Sequence, residues 1–164
     1  MQLFLSHATA DSLIVDRIQA ELAPLGASVY LAEHDNQAGV NVHAKIGDAL
    51  RASDLVIVLL TQAGFDSRYV QQEIGAALNA GKLVIPLVAG TVARADLGML
   101  QGVEYIVIDQ GDPAEAMQRL SGRIANLQQQ RQTDLQRQQA ARELMVVAGV
   151  ALVVLGIVLV TTAE

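Results

Sequence analysis

Five short apolar runs alternate with amphipathic segments over roughly the first two thirds of this 164-residue chain. The runs are rich in Val, Ile and Leu and have the length of buried strands; they cover residues 2–6, 28–32, 54–61, 83–88 and 104–109. Apolar residues recur at helical spacing between them, in residues 10–24, 41–52 and 67–80. Strands that alternate with helices form a parallel sheet covered on both faces. We therefore predict an α/β domain with a five-stranded parallel sheet in the flavodoxin-like order 2-1-3-4-5.

A long helix is predicted after the fifth strand. Asp112, Pro113 and Glu115 occupy the N-cap, N1 and N3 positions of a capping box. An apolar stripe then continues to Leu127, so this part of the helix is expected to pack on the domain. The predicted domain therefore spans residues 1–127. Residues 128–143 are rich in Gln and lack Pro and Gly, which predicts a helical stalk, with low-complexity disorder as the alternative.

The segment that follows, residues 144–163, carries no charged side chain. A helix of this length spans about 30 Å, roughly the thickness of the hydrocarbon core of a bilayer. We predict a single transmembrane helix here, with a buried core helix as the alternative. Arg131, Arg137 and Arg142 precede the segment and no basic residue follows it. The positive-inside rule then predicts a single-pass protein of the cell membrane whose N-terminal domain is cytoplasmic.

Composition excludes several kinds of chemistry. The chain has no Cys and only three His, so thiolate sites are excluded and we expect no metal site. A formal net charge of −6 with two Lys argues against nucleic acid as a partner. Neither a glycine-rich phosphate loop nor a G-x-S-x-G nucleophile elbow occurs, and we expect no bound cofactor.

The candidate catalytic residue is a carboxylate. Ligands of such a sheet bind beyond the carboxyl ends of the strands, at the switch point between the first and third strands. Ser67 is predicted to be a helix N-cap, which places Glu73 in the second turn of that helix, near this crevice. Tyr69 precedes Glu73 by four residues and is expected on the same face, whereas residues 70, 74 and 77 form the expected buried face.

Three further residues are candidates for contact with a ligand. Ser6 and His7 follow the first strand and could bind through a hydroxyl, a ring nitrogen and backbone donors, with simple capping of the strand end as the alternative. Asp35 lies in the loop after the second strand, where formation of the turn is the alternative role.

Five segments resemble, in order, the conserved boxes of a known family: FLSHATAD, AEHDNQAG, ALRASDLVIVLLT, SRYVQQE and KLVIPLV. Together they resemble the Toll/interleukin-1 receptor (TIR) domain, particularly its bacterial members, over about residues 2–127. The chain departs from the family at Tyr69, where Trp is most frequent, and at Ala38 in the second loop, where many members have Pro.

The resemblance implies an activity and assigns residues to it. Enzymatic TIR domains cleave NAD to nicotinamide and ADP-ribose or a cyclic isomer, using the Glu of an S-x-W-x-x-x-E motif. Ser67 and Glu73 match this motif, and Tyr69 keeps an aromatic ring for stacking at the Trp position. The resemblance therefore implies that NAD is the substrate, and its cleavage passes through an oxocarbenium-like ribose that a single carboxylate can stabilise.

We therefore expect a membrane-anchored NAD glycohydrolase. The resemblance further implies partners that are other TIR domains, a homo-oligomer that activates the enzyme, and a role as effector or signal producer in bacterial antiviral defence. The alternative is a non-catalytic TIR adaptor that acts through TIR–TIR assembly. A receiver-type domain is less favoured, because no acidic pair that could hold magnesium follows the first strand.

Overall fold

A computed structural model describes residues 1–31, 42–92 and 97–161, with the side chains of 42, 43 and 146–161 excepted. The predicted second loop, which contains Asp35, lies outside the described residues.

In these three described ranges, five parallel strands form one sheet in the order β2-β1-β3-β4-β5, which confirms the predicted order. The strands are β1 (Gln2–Ser6), β2 (Ser28–Leu31), β3 (Leu55–Leu60), β4 (Val84–Ala89) and β5 (Ile106–Ile108). Every residue of β3 and β4 is buried, because the middle of a parallel sheet is covered on both faces. This explains why both strands are continuous apolar runs rather than alternating patterns.

The described residues form five α-helices that connect or follow the strands: α1 (Ser12–Leu22), α2 (Val42–Ala52), α3 (Gln62–Asp66), α4 (Arg68–Asn79) and α5 (Ala114–Thr161). Helices α1, α2 and α4 confirm the three amphipathic predictions to within two residues at each end. Helix α3 was not predicted, because a single turn of five residues is too short to show a helical period.

The turn between α4 and β4 is fixed by a glycine and a lysine. Gly81 follows α4 with φ of +63°, a left-handed conformation that glycine adopts without steric strain. The next residue, Lys82, donates from Nζ to the carbonyl oxygens of Arg51 and Ser53, at 2.7 and 2.6 Å. These bonds satisfy carbonyl groups at the C-terminal end of α2, next to the start of β3.

The chain divides into two compact units, Met1–Arg123 and Ile124–Glu164. Asp112 Oδ1 accepts from the N–H of Ala114 at 3.3 Å, at the predicted start of α5. The Gln-rich stretch predicted as a stalk is helical over its whole length, and its side chains are mostly exposed.

The membrane-spanning prediction for residues 144–163 is not supported. Helix α5 continues to Thr161, but side chains beyond 145 and the backbone beyond 161 lie outside the described part of the chain. Within the part that is described, no helix is both long and apolar enough to cross a bilayer.

Candidate functional site

Buried polar side chains concentrate at one edge of the sheet. Five such side chains occur among the described residues, and four of them lie at the carboxyl ends of β1 and β3 or on the helices that follow; these are Ser6, Asp11, Thr61 and Glu73. The fifth, Ser53, precedes β3 at the opposite edge. Strands β1 and β3 are neighbours in the sheet. The chain continues from β1 to β2 on one side of this pair and from β3 to β4 on the other side. The cluster therefore lies at the topological switch point, where sheets of this class bind ligands.

Glu73 is held in the cluster by Ser6. The carboxylate lies in the second turn of α4 with only 7% of the residue exposed. Ser6, the last residue of β1, is fully buried and donates from Oγ to Glu73 Oε2 at 2.5 Å. This distance is typical of a hydroxyl that donates to a carboxylate, the stronger class of hydrogen bond. The contact joins two of the predicted site residues, which are 67 positions apart in the chain.

The burial of Glu73 corrects one sequence-based expectation. The apolar pattern predicted a buried face of Val70, Ile74 and Ala77 with Glu73 outside it, but the structure buries Glu73 together with them. Burying a carboxylate is costly unless hydrogen bonds compensate it, and the Ser6 hydroxyl supplies one such bond. A pattern that ranks residues by hydropathy does not detect this compensation.

Ser67 caps the start of α4, and Tyr69 lies in its first turn. Ser67 Oγ accepts from the N–H of Val70 at 3.4 Å, which confirms the predicted N-cap. Tyr69 lies in the first turn and is 68% exposed, so its ring is accessible to solvent. The two residues of the predicted shared face thus differ in depth, with Tyr69 at the surface and Glu73 inside.

His7 follows Ser6 directly and is half-buried. Its Nδ1 lies 3.3 Å from the carbonyl oxygen of Leu5, so the ring is directed back along the end of β1. The structure therefore brings His7, Ser6 and Glu73 to one edge of the sheet, whereas Asp35 lies outside the described residues.

Sequence reasoning missed a second buried pair at this edge. Thr61 Oγ1 donates to Asp11 Oδ2 at 2.9 Å, and the exposed fractions of the two residues are 2% and 5%. The same Thr61 oxygen accepts from the N–H of Gly64 at 3.1 Å and so caps α3. One signal was available in the sequence: both residues follow buried strands whose carboxyl ends share the predicted switch point.

Within the described part of the chain, two cavities lie away from this cluster. One of about 460 Å³ is formed where β4 and β5 begin, beside Arg119 and Arg123, and one of about 390 Å³ is formed where the same strands end. Glu73 lines neither of them. The candidate site is therefore distinct from both of these cavities.

Comparison with known proteins identifies the family. The family model described as TIR domain matches residues 3–121. No curated protein matches the sequence significantly.

Solved structures share the fold. The TIR domain of the Toll-related receptor TRR-2 from Hydra magnipapillata is 17% identical, with a TM-score of 0.61 over 76% of this chain and 97% of that chain. The TIR domains of the activated Roq1 resistosome, which recognises the pathogen effector XopQ, are 13% identical, with a TM-score of 0.61 over 75% and 98% of the two chains. The CMP N-glycosidase BcmB of Clostridium botulinum is 23% identical, with a TM-score of 0.55 over 73% and 98%.

Proposed function

Because the chain belongs to the TIR-domain family, we propose that it cleaves the N-glycosidic bond of NAD and releases nicotinamide with ADP-ribose or a cyclic isomer. The observation that carries this proposal is the Glu73 carboxylate, buried at the switch point of the sheet and held there by Ser6.

The chemistry requires one well-placed carboxylate. When the bond between ribose C1′ and the nicotinamide nitrogen breaks, the electron pair leaves with the ring, which departs neutral without protonation. Positive charge then develops on the ribose, and Glu73 would stabilise it while binding the ribose hydroxyls. Water adds to C1′ and loses a proton to give ADP-ribose, whereas attack by the adenine ring of the same molecule gives a cyclic product.

The remaining candidates surround this carboxylate in the proposal. Ser6 orients Glu73, and the exposed ring of Tyr69 offers a stacking surface for nicotinamide or adenine. His7 would contact the ribose or the phosphates from the end of β1. Ser67 contributes by fixing the start of α4, and Asp35 remains a predicted contact from the second loop.

The fold neighbours support glycosidic chemistry on this scaffold. One neighbour is named a CMP N-glycosidase, so this arrangement of sheet and helices carries cleavage of an N-glycosidic bond in that protein. The likeness is in the fold, and the assignment of NAD to this chain rests on the family and on Glu73.

We also propose that activity depends on assembly with other TIR domains and serves bacterial antiviral defence. The Roq1 neighbour is a resistosome, which supports assembly as a property of related domains. Expression of the chain in phage-infected bacteria tests the role in defence: fewer plaques than with Glu73→Gln would support it, and equal plaque numbers would contradict it.

The activity itself is tested by incubating the purified chain with NAD and separating the products by chromatography. We expect one molecule of ADP-ribose or of its cyclic isomer for each molecule of nicotinamide released. Assembly without any nicotinamide release, over a wide range of protein densities, would instead support the non-catalytic adaptor.

A further inference from the structure

Two hydroxyl–carboxylate pairs connect β1 and β3 in a reciprocal manner. The hydroxyl of Ser6, the last residue of β1, donates to the carboxylate of Glu73 on α4, the second helix after β3. The hydroxyl that follows β3, on Thr61, donates to Asp11, which lies between β1 and α1. Each connection is thus tied to the end of the neighbouring strand by a buried hydrogen bond.

We propose that Asp11 and Thr61 are positioning residues for Glu73. They act by fixing the segment from Thr61 to α4, on which the catalytic carboxylate is carried. The expected effect on the rate rests on the proposed function. The structural basis is a series of hydrogen bonds that runs from Asp11 through Thr61 and α3 to α4.

The first link joins Asp11 to α3. Thr61 Oγ1 donates to the buried Asp11 carboxylate and accepts from the N–H of Gly64. One hydroxyl therefore bridges the β1 connection and the first turn of α3. Hydrogen bonds in such a series polarise one another, so the loss of either one weakens the other.

The second link is the close approach of α3 to the end of β3. A Cβ atom at Gly64 would lie 2.3 Å from the carbonyl oxygen of Leu59, a distance at which backbone must shift. Helix α3 consequently lies directly on the end of β3, and the Thr61 cap holds it in this close approach.

The third link joins α3 to α4. Ser67 donates its N–H to the carbonyl oxygen of Gly64 at 3.3 Å and also caps α4. Gln71 Nε2 in α4 donates to the carbonyl oxygen of Phe65 at 3.1 Å. These bonds leave little freedom between Thr61 and the helix turn that carries Glu73.

The consequence concerns catalysis more than binding. A carboxylate must meet the developing charge with sub-ångström accuracy, and a misplacement of about 1 Å can cost on the order of 100-fold in rate. Ser6 holds the head of Glu73, and the contacts that begin at Asp11 hold its backbone. Loss of the second support is expected to lower kcat with little change in KM.

The experiment compares two substitutions at Thr61 with a matched control in the full chain. Thr61→Ser keeps both hydrogen bonds, whereas Thr61→Val keeps the shape of the side chain and loses both. Ser53→Ala is the control, because it removes a buried hydroxyl that donates to the Ala49 carbonyl at the opposite edge of the sheet. Asp11→Asn is made as well, since its amide oxygen can still accept from Thr61.

The readouts are NAD cleavage kinetics and hydrogen exchange of the amides in residues 62–73. For Thr61→Val we expect kcat to fall about 10- to 100-fold with KM changed less than about threefold. Thr61→Ser and Ser53→Ala are expected to stay within about twofold of wild type, with Asp11→Asn between these limits. Hydrogen exchange in residues 62–73 should be faster than in wild type for Thr61→Val. It should be unchanged for Thr61→Ser and Ser53→Ala.

Two results would overturn the inference. One is a kcat for Thr61→Val no lower than that of Ser53→Ala; the other is unchanged exchange in residues 62–73 in Thr61→Val. A wild-type chain that releases no nicotinamide would contradict the proposed function instead. The exchange measurement then still decides whether Asp11 and Thr61 fix the segment that carries Glu73.

Discussion

The Ser6–Glu73 contact shows how a carboxylate, which is ordinarily exposed to solvent, can be buried. A carboxylate on a helix beside the sheet is ordinarily placed in solvent, yet Glu73 is 7% exposed. A hydroxyl at the end of the neighbouring strand makes this burial possible. A buried carboxylate at the switch point of a parallel sheet is a candidate functional group, which is why Glu73 rather than an exposed acid carries the proposal.

Tyr69 allows a test at the same scale. Because the residue is 68% exposed, substitutions there should change the free energy of unfolding by less than about 0.5 kcal/mol. If the ring stacks on the substrate, Tyr69→Trp should keep or raise the rate of NAD cleavage and Tyr69→Ala should lower it. Rates measured at saturating and limiting NAD check this, and equal rates in all three proteins would contradict a role in stacking.

Among the structural elements, the sheet was more predictable than the site. Continuous apolar runs identified the strands and their parallel order, because burial on both faces leaves a clear pattern in sequence. Helix α3 was missed because it is a single turn. The Thr61–Asp11 contact was missed because it joins residues 50 positions apart, and no local pattern reports such a pair.

Within the site, the capping pattern led to Ser67, and the position in the helix that follows, together with the family motif, led to Glu73. The sequence could not predict the depth of Glu73, since depth depends on a hydrogen bond from another strand. The exposed fraction of Tyr69 likewise depends on the three-dimensional position of the first turn of α4.

Gly64 provides the test at the scale of the element. A Cβ atom there would meet the Leu59 carbonyl oxygen at 2.3 Å, so Gly64→Ala should force α3 away from the end of β3. We expect this to lower the free energy of unfolding by about 1–3 kcal/mol, as overpacking does elsewhere.

The matched control is Gly122→Ala, which lies in α5 with no atom within 4 Å of the added Cβ. It should be neutral or stabilise the chain by up to about 1 kcal/mol, because alanine favours a helix over glycine. Urea denaturation of both variants checks the pair. Equal stability of the two would contradict the close approach of α3 to the sheet.

For the whole molecule, the two compact units have different compositions. The unit Met1–Arg123 contains the sheet and the candidate site, whereas Ile124–Glu164 contains the exposed Gln-rich stretch and the uncharged segment. The location of the chain at a membrane stays a prediction from sequence. Separation of membranes from soluble protein after expression would test it, with recovery in the membrane fraction as the predicted result.

Assembly is predicted to depend on the second unit. If the C-terminal segment confines TIR domains to a surface, their effective concentration rises without any new contact between them. The rate per molecule should then increase steeply with the density of the full chain in vesicles, and a chain that ends at Leu127 should be far less active. Equal rates for both chains at equal concentration would contradict this role.

The central claim is that the Glu73 carboxylate carries cleavage of the N-glycosidic bond, and nicotinamide release by Glu73→Gln tests it most directly. Gln keeps the size of the side chain and an oxygen that can accept from Ser6, so the fold should be retained while the negative charge is lost. Glu115→Gln, an exposed acid in the first turn of α5, is the matched control. We predict nicotinamide release by wild type and Glu115→Gln at equal rates, with a loss of at least about 100-fold in a folded Glu73→Gln protein; release by Glu73→Gln at the wild-type rate would contradict this role of Glu73.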